Sequence, residues 1–124
     1  MPRELYKDVV ARPLINGRAA YATAFRELQI ERPSNAVAAS RIRTEILPLL
    51  RQMLDGAQSV RIEDPAALEV HKHAVAGARL HVAAFSILTD ALDHNNQTLD
   101  KQASMLIAQG NAEWQQWAAG VLTL

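Results

Sequence analysis

One long helix dominates the amino-acid pattern, between Asp64 and Asn96. Asp64 followed by Pro65 is typical of a helix start, because the Asp side chain accepts hydrogen bonds from free backbone N–H groups and proline is tolerated at the first helical position. The sequence His94-Asn95-Asn96 indicates the end, because asparagine tolerates the left-handed conformation found at many helix ends. Roughly 30 helical residues predict a rod of about 45 Å.

Apolar residues recur along this rod at alternating intervals of three and four, which places them on one face of a helix. The predicted face consists of Leu68, His71, Val75, Ala78, Val82, Phe85, Thr89 and Leu92. The face is widened on one flank by Ala67, Ala74, His81 and Leu88, and on the other by Ala84, Ile87 and Ala91. We therefore expect the rod to be covered by more than one neighbouring helix.

The composition predicts an all-α protein. The 124 residues are the length of one domain, and the hydrophobic content of 49% is enough for a core. Valine, isoleucine and threonine are scattered rather than arranged in alternating runs, so no strand is predicted. Hydrophobic periodicity predicts three further helices: from about Arg3 to about Glu31, from Ser34 to about Ala57, and from Asn96 or Thr98 to the chain end.

Matched helix lengths and short links favour one domain, residues 1–124, folded as an antiparallel up-down four-helix bundle. The alternative topology has a long crossover at residues 56–63. Pro13 and Pro48 lie inside the first and second helices and predict kinks, because proline lacks the N–H and its ring crowds the preceding turn. Gly17 weakens the first helix near Pro13.

Charge and cysteine content narrow the classes of function. Net charge is zero, but residues 1–62 carry an excess of basic side chains and residues 63–124 an excess of acidic ones. We expect the two halves to attract each other across the bundle, and an acidic partner for the basic half is the alternative. Nucleic acid is not expected as a partner at this overall charge. The absence of cysteine excludes disulfides and thiolate metal sites.

Hydropathy predicts neither a membrane span nor a leader. No run of 18 or more apolar residues is present. The first ten residues lack the apolar stretch of a signal peptide. A cytoplasmic location is the default expectation, and a trimmed exported domain is the alternative.

The histidines do not predict a metal centre. His71 and His73 point in opposite directions around a helix, and His71 and His81 lie some 15 Å apart along it. The Glu-x-x-His signature of di-iron bundles is absent. We expect no metal and no other cofactor. His71 and His81, with Phe85, are instead candidates for lining an apolar ligand pocket, and the alternative is that each histidine is half buried with a partner for one ring nitrogen.

Catalysis is not predicted. The serines lie in helical or capping positions without a nucleophile elbow, and the five glycines form no phosphate-binding loop. Paired acids on the inward faces are also missing. We therefore expect a protein that is not an enzyme.

Trp114 and Trp117 lie three residues apart on one edge of the last helix, whose apolar pattern continues to Leu124. These three residues are candidates for a contact with another protein or a second copy of the chain, since tryptophan is enriched in binding hot spots. Packing of the two tryptophans in the core is the alternative interpretation.

Two hypotheses of function follow. The first is a small helical protein that acts through protein-protein interaction, as an adaptor, immunity or assembly partner, or through self-association. The second is a bundle that binds a small apolar ligand in a cavity between kinked helices. In the second hypothesis Pro13, Gly17 and Pro48 shape the cavity, and His71 or His81 supplies a polar group.

Overall fold

The computed structural model describes all residues, Met1–Leu124, and contains four helical segments and no strand. Helix α1 covers residues 3–31 and helix α2 covers residues 35–59. Helix α3 is Pro65–His94 and helix α4 is Gln97–Leu122. The all-α class is confirmed, and the helix boundaries lie within about two residues of those that the sequence predicted.

The predicted start signals are confirmed at three helices. The side chains of Ser34, Asp64 and Asn96 each accept a hydrogen bond from the backbone N–H three residues later, at 3.4, 2.9 and 3.1 Å. Helix α3 ends at Asn95 in the left-handed conformation, with a φ of 49°. Helix α1 ends at Arg32 in the same conformation, for which the arginine gives no sequence signal.

Each internal proline follows a π-helical turn, at Lys7–Ala11 and at Ile42–Ile46. The N–H groups of Arg12 and Leu47 donate to the carbonyls five residues earlier. This wider turn gives room to the ring of the next residue, Pro13 or Pro48, so the helical backbone continues through both positions.

The buried face of α3 differs from the predicted one at its first residue. Leu68 is 39% exposed, whereas Ala67 is buried in its place. His71, Ala78 and Phe85 are buried as predicted. The face that packs is therefore rotated toward the flank that contains Ala67, Ala74 and His81. The rotation follows from α4, which packs along that flank.

Two glycines bring α3 and α4 close together. Gly77 lies against the indole of Trp114, and a Cβ atom at Gly110 would lie 2.5 Å from Nδ1 of His81. Phe85, further along α3, packs against Tyr21 and Phe25 of α1, with ring centroids 5.5 and 5.0 Å away. The glycines provide the space in which the two large rings fit.

Two ion pairs connect the basic and acidic halves of the chain. Arg3 binds Asp64 at 3.1 Å, and Arg43 binds Asp93. The N–H of Ala67, together with Arg3, holds the pKa of Asp64 below its ordinary value. These pairs lie at opposite ends of α3.

By length and mean hydropathy alone, α3 could cross a membrane. In this structure its apolar side packs against the other three helices, and His71 and His81 are buried within that contact.

Candidate functional site: an apolar groove between the first two helices

A cavity of about 540 Å³ opens to solvent between α1 and α2. Its apolar lining comes from both helices. The lining residues are Val9, Val10, Pro13, Leu14, Gly17, Leu49, Gln52, Met53, Gly56, Ala57, Ser59 and Val60. We call this cavity the α1–α2 groove. Its volume lies in the range typical of small-molecule sites.

The π-helical turn and one glycine shape the groove. Val9 and Val10 belong to the π-helical turn of α1, and Pro13 follows it. Gly17 lets α2 approach, since a Cβ atom there would lie 2.9 Å from Cγ of Met53. π-Helical turns occur frequently at functional sites. The sequence pointed to Pro13 and Gly17, and both line the groove.

The lining contains no Asp, Glu, Lys, Arg or His. Its polar side chains are Gln52 and Ser59. The Ser59 hydroxyl donates to the carbonyl of Gly56 at 3.1 Å, within the last turn of α2. The groove can therefore bind a molecule through apolar contact, with hydrogen bonding confined to a small part of its surface.

The residues proposed from sequence as ligand contacts lie elsewhere. His71, His81 and Phe85 are buried in the core, and none of them lines the groove. Pro48 does not line it either, although its neighbour Leu49 does. The sequence missed Leu49 and Met53 because their periodicity is that of core residues. Val9, which also lines the groove, is 52% accessible, and this exposure is visible only in the structure.

His71 belongs to a chain of hydrogen bonds that joins all four helices. Its Nε2 donates to the carbonyl of Ala57 in α2 at 2.6 Å, since a carbonyl can only accept. Nδ1 then accepts from the hydroxyl of Tyr6 in α1 at 2.8 Å. The same hydroxyl oxygen accepts from Nε1 of Trp117 in α4 at 2.9 Å. Each buried polar atom of this chain is paired, and Ala57 also lines the groove.

His81 occupies a similar position further along α3. Its Nδ1 donates to the Gly77 carbonyl at 2.7 Å, and its Nε2 lies 3.2 Å from the side-chain oxygen of Asn111. The neutral ring requires the Asn111 amide to turn its NH₂ group toward Nε2. The imidazole stacks on Trp114 with centroids 3.8 Å apart. Both histidines thus have two partners, rather than the single one expected from sequence.

Burial lowers the pKa of both His71 and His81, although their hydrogen bonds to backbone carbonyls oppose the shift. The unfolded chain therefore binds protons more readily than the folded one. We expect the free energy of unfolding to fall as pH falls below about 6.5, with a slope of up to ~1.4 kcal/mol per pH unit for each histidine. Urea unfolding at pH 5.5, 6.5 and 7.5 measures the free energy of unfolding and its slope with pH. The slope should be smaller in His71→Gln, and an unchanged slope would contradict this assignment.

The residues proposed from sequence as partner contacts are mainly internal. Trp114 and Trp117 are buried, and each contacts α1: Trp114 meets Tyr21 edge-on, and Trp117 donates a hydrogen bond to Tyr6. Leu124 is half buried and packs against the core. Neither tryptophan ring is available on the surface, so a partner interface built on them would need α4 to move.

The two histidines outside the core, His73 and His94, each make one hydrogen bond. His73 contacts Glu113 of α4 at 2.6 Å, and Lys72 contacts Glu69 at 2.7 Å. His94 Nδ1 donates to the Asp90 carbonyl at 2.9 Å. His73 therefore pairs with a residue of the neighbouring helix, while Glu69 pairs with Lys72 of its own helix. No group of three or more metal-ligating side chains occurs.

Comparison of the chain with models of protein families, with curated proteins and with solved structures finds no match. The groove is therefore interpreted from its own geometry.

Proposed function

We propose that this protein binds a small apolar molecule in the α1–α2 groove. The observation that carries the proposal is an apolar cavity of about 540 Å³, free of ionisable side chains, beside a π-helical turn. A closed core would bury such a surface, since exposing apolar area to water is unfavourable. The groove is small-molecule sized, and its lining contains no acid or base that could activate the Ser59 hydroxyl, so binding rather than catalysis is proposed.

We also propose the antiparallel up-down arrangement for the four helices. Pairings along the chain support it. Gly17 near the middle of α1 faces Met53 late in α2, while Glu31 at the end of α1 binds Arg41 early in α2. Ala57 near the end of α2 meets His71 near the start of α3. The bends proposed at Pro13 and Pro48 would coincide with the π-helical turns.

A fluorescent, uncharged apolar probe, N-phenyl-1-naphthylamine, tests the binding function. We expect its emission to rise with the folded protein and to be largely lost in Gly56→Phe. Gly56 lines the groove and a Cβ atom there has open space around it, so a larger side chain can begin there, and we expect its ring to occupy the cavity. Removing glycine from the helix also favours folding by several tenths of a kcal/mol.

Ala112→Phe is the matched control, because it adds the same ring at an exposed position of α4. This variant should bind the probe like the parent protein. No emission change with the parent protein, or equal binding by Gly56→Phe, would contradict the proposal. Thermal unfolding of each variant confirms that the fold is retained.

A protein partner that inserts apolar side chains into the same groove is a second candidate function. Leu5 and Val9, 48% and 52% exposed, lie one helical turn apart on α1 and extend the apolar surface beyond the groove. Here we expect self-association, measured by light scattering at micromolar concentrations, to be reduced in Leu5→Lys. A monomeric parent protein at all concentrations would remove self-association as this function.

A further inference from the structure

We infer that the α1–α2 groove selects an uncharged apolar molecule whose polar end donates a hydrogen bond, such as a primary amide, and that it discriminates against carboxylates. The inference rests on the proposed function, since it names the class of ligand for the same groove.

The first reason is the absence of a counter-charge. None of the twelve lining residues is ionisable. A carboxylate moved out of water without a cation or several donors loses its hydration free energy without compensation. Arg12, which precedes Pro13 in the chain, is paired with Asp8 at 2.9 Å on the exposed surface. Arg51, beside Gln52 in the chain, is exposed and does not line the groove.

The second reason is the position of the groove at a helix end. Gly56, Ala57 and Ser59 belong to the last turn of α2, and Val60 is its C-cap. The final carbonyls of a helix lack helical N–H partners and give this end a partial negative charge, which attracts donors and repels anions.

Only some of the carbonyl groups at this end of α2 accept a hydrogen bond from the protein. The Gly56 carbonyl accepts from the Ser59 hydroxyl, and the Ala57 carbonyl accepts from His71. The carbonyl of Ser59, at the very end of the helix, receives no protein donor. A ligand N–H or O–H would be favoured at this end of the groove.

The third reason is the length and the apolar lining of the groove along α1. From Val9 to Gly17 the groove follows α1 for about 12 Å, at about 1.5 Å per residue. Seven of its lining residues are hydrophobic. An unbranched chain of about eight carbons with one polar end group is therefore suitable as a test molecule.

Competition against N-phenyl-1-naphthylamine at pH 7.5 tests the inference with octanamide, methyl octanoate and octanoate. The amide and the carboxylate have nearly the same shape, but only the amide is neutral and donates. We expect the dissociation constant of octanamide to be at least about ten-fold lower than that of octanoate, with the ester between them, since the ester is neutral but cannot donate.

The outcomes separate this inference from the proposed function. If the probe binds the parent protein and not Gly56→Phe, but octanoate competes as well as octanamide, the groove binds ligands and the selectivity inference is overturned. Equal competition by octanamide and the ester would overturn the role of the donor. If the probe does not bind the parent protein, the proposed function itself fails.

Discussion

Replacing Phe85 by alanine should lower the free energy of unfolding by about 3–5 kcal/mol. The Phe85 ring is fully buried and meets Tyr21 and Phe25 edge-on, at centroid distances of 5.5 and 5.0 Å. Removing the ring loses its transfer free energy and its edge-to-face contacts. It also leaves a cavity where α1 meets α3. Urea unfolding followed by far-ultraviolet circular dichroism measures the change.

Leu68→Ala is the control for this prediction. Leu68 shares the three-and-four periodicity of Phe85 but is 39% exposed. Its truncation should therefore cost less than about 1 kcal/mol, because little apolar area returns to water. Comparable losses for Leu68→Ala and Phe85→Ala would show that the buried face of α3 is wrongly located.

Tyr6→Phe should lower the free energy of unfolding by about 2–6 kcal/mol, although it removes only one oxygen atom. The Tyr6 hydroxyl oxygen accepts a hydrogen bond from Nε1 of Trp117, and the hydroxyl donates one to Nδ1 of His71. All three side chains are buried. Without it, one buried donor and one buried acceptor are left unpaired, at about 1–3 kcal/mol each. Burial also raises the pKa of Tyr6, so the hydroxyl remains a donor at neutral pH.

Tyr21→Phe provides the matched comparison. Tyr21 is also buried, among the rings of Phe25, Phe85, His81 and Trp114, but its hydroxyl makes no hydrogen bond to the protein. We expect a change within about 0.5 kcal/mol. If the two substitutions had equal effects, the chain of hydrogen bonds from Trp117 to Ala57 would contribute nothing to stability.

The sequence was sufficient for the helices and insufficient for the hydrogen bonds between them. Local signals such as Asp64-Pro65 and Asn95 act within one turn, so they predicted where helices begin and end. Whether Leu68 or Ala67 faces the core depends on which side α4 packs, and periodicity alone cannot distinguish adjacent positions on a wide apolar face. The partners of Tyr6 and His71 are separated from them by up to 111 residues, which no local pattern encodes.

Of the two walls of the groove, the sequence indicated only the one on α1, because only that wall contains residues with a local signal. Pro13 and Gly17 are exceptional residues for a helix interior, so they marked the place on α1. The opposite wall, with Leu49 and Met53, consists of residues whose pattern is that of an ordinary core. That these residues face a groove depends on how α2 sits against α1, with Met53 in close contact with Gly17, and no local pattern encodes this packing.

The most direct measurement of ligand binding in the groove uses the methyl groups of the three methionines. Met53 lines the groove, whereas Met105 is 62% exposed on α4. In protein labelled with ¹³C at the methionine methyls, titration with octanamide should shift the Met53 signal in a saturable manner and leave Met105 in place. A Met53 signal that does not move, or an equal shift of Met105, would contradict binding between α1 and α2.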